Sequence, residues 1–310
     1  MKRLWTKYRI NRKLLMLIPF VWILLFLLLP LVTLLEISLT QEGFDVPPIK
    51  GFARWLSGQT LVIQINISKY LTLYNDPIYT LALLRSLKIA TLSTFFCLLA
   101  SYPIAYGIAR ADPRYRFLLI TGVMLPFWTP FLIRVYAWIG ILGDHGPINN
   151  ALLWLGMIRE PLHLNNSLFA VCLGIVYSYM PFMVLPLYVS LCKIDYLLLE
   201  AAYDLGCRPL KAFWRIVFPL SLRGVYAGCL IVFVPVMGEY VIPELLGGID
   251  EYMTSKILWM NFFGSSDWPQ ASALAIVLMC LIFFPLFLAE RLTTKETEPY
   301  ENLPDEGSAR

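Results

Sequence analysis

The chain has 310 residues, of which 58% are hydrophobic and 15% charged, with a formal net charge of +4 and a mean hydropathy of +0.67. A soluble domain carries about 25% charged residues, so the composition excludes an ordinary water-soluble enzyme or binding module and makes lipid the solvent. The small basic excess needs no nucleic acid to explain it, because it is distributed as a membrane protein distributes it.

Six apolar runs are each long enough to cross a bilayer, which takes roughly 20 residues. They lie at about 14–40, 84–109, 117–142, 168–192, 224–246 and 271–289. Lipid offers backbone groups no partners, so each run is predicted to be helical. The expected class is an all-α membrane protein with six transmembrane helices. Residues 1–13 form a basic N-terminus, with Lys2, Arg3, Lys7, Arg9, Arg12 and Lys13. The run from Leu14 to Leu35 contains no charge. A signal peptide has an apolar region of about 7–15 residues and a small-residue cleavage site, so this run reads as a retained first helix.

An external loop is expected over 41–83, with turn signals at Pro47-Pro48 and Asp76-Pro77. Between them Leu61 to Ile67 alternates in part, which fits either a short hairpin or a segment lying on the membrane surface. A second external loop, 143–167, contains the amphipathic run Ile148 to Leu155, predicted as a short interfacial helix. The third, 247–270, holds Asp250, Glu251 and Asp267. The tail, 290–310, is acidic and reads as disordered. Lys and Arg set the orientation: with the N-terminus inside, 17 of them fall on the inner side and five outside. Both termini are therefore predicted to be cytoplasmic.

Proline occurs in every run, at Pro19, Pro30, Pro103, Pro126, Pro130, Pro181, Pro186, Pro235, Pro243 and Pro285. Each removes a helical hydrogen bond and kinks its helix readily, which suits a gate. The six cysteines (97, 172, 192, 207, 229 and 280) form no CxxC pair, so neither a disulfide framework nor a zinc site is expected. His145 and His163 share one external loop without a companion ligand, and no metal is expected. No GxxxxGK[ST] phosphate loop is present.

Between the fourth and fifth runs lies a polar, basic island on the predicted inner side. Asp195 is placed to cap a short helix running to Leu205 and closed at Gly206 by a left-handed glycine. Pro209 blocks its continuation. A second helix from Leu210 is predicted to end near Pro219. Glu200-Ala201-Ala202, Gly206, Ile216 and Pro219 together resemble the EAA loop of ABC importer permeases, the element by which a membrane subunit grips its ATPase. Phe218 departs from the pattern, which usually has leucine there. The resemblance continues through Leu125-Pro126-Phe127-Trp128, Ile133 to Trp138, Leu152 to Gly156, Tyr179 to Tyr188, Gly238 to Gly248 and Asp267-Trp268-Pro269. It covers nearly the whole chain and is similar to the polyamine branch, closest to putrescine importer permeases.

That resemblance implies a type I ABC importer permease with its transport domain over 84–289 and its ATPase-coupling loop at 195–219. Glu200 and Arg208 are the polar residues expected to contact or brace the ATPase. It also implies a second permease, two copies of an ABC ATPase and a periplasmic polyamine-binding protein, all in the bacterial inner membrane system. The chain itself is expected to bind no cofactor, ATP and Mg belonging to the partner ATPase, and to perform no catalysis.

A polyamine path calls for carboxylates and aromatic faces, and ionisable residues within a membrane are functional candidates. Glu239, Tyr240 and Glu244 in the fifth run are the candidates, with Trp128 and Tyr177 assisting. Two arrangements stay open: Glu239 facing the path, or Glu239 paired with Arg134 in a structural ion pair. Two transport alternatives also stay open, namely the same permease with another small solute and an ion-driven secondary transporter. The latter leaves the loop unexplained.

Overall fold

The computed structural model describes residues 12–43, 49–50, 53–56, 60–63, 65–248 and 252–294. The N-terminal residues 1–11, Pro47-Pro48, Asp250, Glu251 and the tail from 295 lie outside the described residues. Helices dominate, in the order α1 (Arg12–Ile23), α2 (Leu29–Ser38), α3 (Ser68–Asn75), α4 (Pro77–Arg110), α5 (Pro113–Met124), α6 (Phe131–Leu142) and α7 (Pro147–Trp154). There follow α8 (Leu168–Leu191), α9 (Leu197–Asp204), α10 (Pro209–Ala212), α11 (Phe218–Met237), α12 (Val241–Leu246), α13 (Thr254–Trp259) and α14 (Trp268–Thr294).

Two compact units are present, one comprising residues 1–77 and 257–277, the other residues 78–256 and 278–310. In the first, a π-helical turn at Leu24–Leu28 joins α1 to α2. The apolar side chains along this helix, from Leu17 to Leu35, are largely exposed, as expected of a surface made for lipid. Two small antiparallel hairpins follow: β1 (Gln41–Glu42) with β2 (Ile49–Lys50), and β3 (Ala53–Leu56) with β4 (Thr60–Ile63). Of the two options for the alternating run, Leu61 to Ile63 adopts the hairpin, with Leu61 opposite Trp55. The end of α2 is tied down by the Ser38 Oγ–Tyr70 Oη hydrogen bond of 2.8 Å. Lys69 Nζ lies 2.6 Å from Asp267 Oδ2, while Asp267 Oδ1 accepts from the Gln270 N–H at 2.9 Å. A carboxylate here caps the first turn of α14 and complements its dipole.

The second unit is built on α4, α8 and α11. Cys97, Ala105, Val135, Ile175, Met183, Leu187, Val232 and Met237 form part of its core. Backbones approach closely where α11 presents glycine. A Cβ at Gly224 would lie 2.4 Å from Ser190 Cβ, and one at Gly228 would lie 2.7 Å from Met183 Sδ. Membrane helices lack a hydrophobic drive to associate and depend on such small-residue contacts. Tyr102 Oη and Ser221 Oγ, 2.8 Å apart, add a buried hydrogen bond between α4 and α11.

Three sequence expectations need correction. The predicted span 117–142 is not one helix: the segments 113–128 and 131–154 meet at 87°. Pro130 forces the preceding Thr129 out of helical geometry, to φ −79° and ψ 144°, and Thr129 Oγ1 bonds back to the Pro126 carbonyl. The span predicted at 224–246 runs instead as a 29-residue helix over Pro209–Met237, and α12 is a separate short helix. The helix from Leu210 does not stop at Pro219. A π-helical turn at Phe213–Val217 widens the ladder just before it, so that Phe218 N–H donates to Phe213 O and the missing proline donor is absorbed within a continuous helix. By length and composition four helices can cross a membrane, the bent pair makes a fifth, and α14 carries a shorter apolar stretch over Trp268–Phe283.

Candidate functional site

The 195–219 loop closes through its own backbone. Asp195 Oδ1 accepts from the Leu197 N–H at 3.0 Å, starting α9, which carries Glu200, Ala201 and Ala202. At its other end Gly206 has φ +77°, its N–H donates to Tyr203 O at 2.8 Å and the Cys207 N–H donates to Ala202 O at 2.9 Å. These two bonds are the paired closure of a Schellman motif, which a left-handed glycine permits at no steric cost. Arg208 is the N-cap of α10 and Pro209 its first residue, where a missing N–H costs nothing.

The loop is held from beneath and bare on top. Leu199 (1% exposed), Ala212 and Val217 are buried, whereas Leu205 (88%), Leu210 (73%), Leu197 and Trp214 are exposed. Glu200, Ala201, Gly206 and Arg208 are exposed as well, Ala202 and Ile216 are half-buried, and Pro219 is exposed. So many uncovered leucines beside a glutamate and an arginine form an apolar surface with polar punctuation, the kind that marks an interaction site. Phe213 anchors the returning strand of the loop, meeting Tyr102 and Tyr106 edge-on with centroids 5.5 and 5.9 Å away. Sequence reasoning missed this aromatic base. Tyr102, Tyr106 and Arg110 at spacing four, one face of a helix, were the available signal.

The second candidate region is the interruption between α11 and α12. Glu239 Oε1 accepts from the Val241 N–H at 3.0 Å and from the Ile242 N–H at 3.4 Å. Its Oε2 accepts from Tyr179 Oη at 2.7 Å, and its backbone carbonyl accepts from Ser255 Oγ at 2.6 Å. Glu239 thus caps α12 with a charge that favours a helix N-terminus. A carboxylate offers about four acceptor positions, and among the described residues Oε2 accepts only from Tyr179.

The other predicted site residues are placed as follows. Glu244 Oε2 pairs with Lys256 Nζ at 2.8 Å. Tyr240 begins the short helix containing Glu244, accepting the Glu244 N–H at 3.0 Å. Tyr177 packs edge-on against Trp138, centroids 5.4 Å apart, and it is Tyr179, two residues on, that meets Glu239. Trp128, at the end of the 3₁₀ turn Leu125–Trp128, is exposed. The Arg134–Glu239 pair is not formed. Arg134 is 7% exposed, and its Nε and Nη1 have no hydrogen-bond partner among the described residues. Its Cζ rests 5.6 Å from the ring centroids of both Phe127 and Phe131. From there Phe127 packs on Phe182 at 5.2 Å and Phe182 on Tyr179 at 6.3 Å, so three rings in series separate the guanidinium from the carboxylate. His163 Nδ1 lies 3.1 Å from Asp144 Oδ1. Among the described residues no three ligands gather to hold a metal.

The family of binding-protein-dependent transport system inner membrane components matches residues 13–296. The spermidine/putrescine transport system permease protein PotB of Haemophilus influenzae is 36% identical over 285 residues, covering 91% of this chain and 94% of that protein. PotB of Escherichia coli strain K12 is 40% identical over 226 residues, 72% of this chain and 82% of that protein. Among solved structures, a bacterial alginate ABC transporter in complex with its pentasaccharide-bound periplasmic protein superposes with a TM-score of 0.68. That match has 19% identity and spans 96% of this chain and 99% of the other; at such identity it speaks for the fold. With the family signature running through nearly the whole sequence, the chain belongs to the binding-protein-dependent transport system inner membrane components, multi-pass permease subunits of ABC importers and not enzymes.

Proposed function

We propose that this chain is a channel-forming permease that moves putrescine or a related polyamine, such as spermidine, into the cytoplasm under the drive of a separate ATPase. The observation that carries the coupling is the 195–219 loop, whose backbone closes on itself and leaves Leu197, Leu205, Leu210, Glu200 and Arg208 uncovered. An ATPase groove seated there would feel the Schellman turn as a rigid lever, because α10, the π-helical turn and α11 continue from it into the membrane as one 29-residue helix. The distribution of basic residues supports a cytoplasmic position for this loop and both termini. A second permease, two ATPase copies and a periplasmic polyamine-binding protein complete the assembly, with ATP and Mg held by the ATPase.

The polyamine cargo rests on the relatives named for spermidine and putrescine transport, and the chain offers chemistry that fits it. A passing ammonium finds an acceptor in Glu239 Oε2, beside the Tyr179 ring and the Phe182 and Phe127 rings behind it. Carboxylate and aromatic faces together suit an alkyl diamine. The test is uptake of labelled putrescine into proteoliposomes holding this chain with its partner permease, ATPase and binding protein. ATP-dependent uptake is expected, competed by spermidine. Gly206→Pro, which removes the N–H bonded to Tyr203 and demands a φ near −65°, is expected to abolish it. Uptake that needs no ATP and collapses with a protonophore would sink the ATP-driven assignment, and ATP turnover without putrescine transport would sink the cargo alone.

A further inference from the structure

Where α4 ends and α5 begins, an open concavity of about 240 Å³ lies apart from the Glu239 turn and borders the coupling loop through Tyr196 and Val217. Two arginines, Arg110 and Arg116, line it together with Tyr106, Tyr196, Leu191 and Ile194. Arg110 lies between two rings, its Cζ 5.0 Å from the Tyr106 centroid and 4.8 Å from that of Tyr196. Arg116 uses Nε to hold the Ala111 carbonyl at 2.9 Å, leaving its terminal nitrogens. Neither arginine forms a salt bridge among the described residues. The two acids nearest in sequence do not line the cavity: Asp112 accepts from the Arg114 N–H and Asp195 from the Leu197 N–H.

Two guanidinium groups line one concavity with no acid among its lining residues, and their planar forks match phosphate oxygens well. The remaining walls say which phosphate. Leu191 and Ile194 make one side apolar, and Tyr115, Phe117 and Leu118, which flank Arg116 on α5, are exposed, as on a helix that faces lipid. A soluble phosphate has no use for such walls, whereas a phospholipid presents its phosphate and its apolar body together. Basic pockets at helix ends are a recurring way of holding anionic headgroups.

We propose that this cavity binds the phosphate of an anionic phospholipid headgroup between Arg110 and Arg116, and that the bound headgroup steadies Tyr196 at the entrance to the 195–219 loop. Tyr196 is the residue from which α9 springs, its carbonyl accepting the N–H groups of Leu199 at 2.9 Å and Glu200 at 3.2 Å. Lipid occupancy and loop order are thereby linked through the Arg110–Tyr196 stack. The site stands whatever solute the permease carries.

The test is native mass spectrometry of the purified full-length chain titrated with phosphatidylglycerol, phosphatidylcholine or inorganic phosphate. Wild type is expected to retain phosphatidylglycerol about tenfold more tightly than phosphatidylcholine, whose choline cation opposes the arginines. Arg110→Gln is expected to lower that affinity by about tenfold, the loss of one charge-assisted contact. Arg110→Lys, which keeps the charge and loses the fork, is expected to fall between them, and guards against a folding defect in the glutamine variant. Arg114→Gln removes an arginine outside the cavity and is expected to change nothing. Equal losses in Arg114→Gln and Arg110→Gln would reduce the effect to diffuse surface charge and overturn the site. Displacement of the lipid by equimolar inorganic phosphate would overturn the lipid assignment in favour of a soluble anion. No preference for phosphatidylglycerol in wild type would overturn it altogether.

Discussion

At Gly206 the chain ends a helix with backbone alone, whereas at Glu239 it starts one with a side-chain carboxylate. The first closure uses the N–H groups of Gly206 and Cys207 and needs no side chain, so Leu205 and Leu210 are left facing outward. The second commits Glu239 to three donors and packs its surroundings with rings from α8. A turn built from backbone is a surface offered to something else. A turn built from a charged side chain is an internal joint whose geometry depends on that charge. The two regions should therefore respond oppositely to substitution.

The largest effect is expected at the internal joint. Glu239→Ala leaves the Tyr179 hydroxyl and two backbone N–H groups without their acceptor, and hydrogen bonds to a charged group contribute about 1.5–3 kcal/mol each. We expect a loss of about 3 kcal/mol in the stability of the purified permease, read from its thermal unfolding. Glu239→Gln keeps an acceptor oxygen toward Val241 and Ile242 and should recover most of that stability. Putrescine uptake should stay low in both variants if the charge serves the solute. Full uptake by the glutamine variant would reduce Glu239 to a helix cap.

The loop should behave the other way. Truncating Leu205 and Leu210 together to alanine removes apolar area that the chain itself does not cover, so thermal stability should not move. Burying a leucine contributes about 1.5–3 kcal/mol, so a partner that covers either one should bind roughly tenfold to a hundredfold more weakly. Surface-immobilised ATPase titrated with the wild-type and double-alanine permease measures this directly. A fall in thermal stability like that of Glu239→Ala would show that both regions are internal and erase the contrast.

The same contrast explains what was legible in the sequence. The loop was readable because its signals are local: Asp195 two residues before the Leu197 N–H it accepts, Gly206 at the end, Pro209 just beyond. Even so, the π-helical turn at Phe213–Val217 was invisible, since apolar periodicity at 3.6 is barely disturbed by one wide turn. The spans were readable from length and hydropathy, but Thr129 and Gly238 were not seen as breaks, because proline inside a membrane helix is as often carried through as broken upon. Pro181 and Pro186 are carried through in α8, while Pro130 is not. The partner of Glu239 stayed open in the sequence because it depends on which rings lie across from which. Charge and depth allowed an Arg134 pair, but three aromatic side chains intervene, and Tyr179 sits on the helix face that Tyr177 does not share.

The smallest expected effect gives the sharpest test of what closes the loop. Gly206 has nothing within 4 Å of where a Cβ would lie, so alanine there meets no steric obstacle and its cost is conformational alone. A left-handed conformation costs an L-residue about 1–2 kcal/mol, while asparagine tolerates it better. Gly206→Ala should therefore lower putrescine-stimulated ATP turnover by a few-fold and Gly206→Asn by less, with thermal unfolding of the membrane body unchanged. This ranking separates backbone conformation from bulk, because asparagine is the larger side chain. If asparagine were instead worse than alanine, the open space beside Gly206 would be filled in the assembled transporter. The glycine would then be required for close approach of the ATPase, and the loop would be closed by its partner as much as by its own backbone.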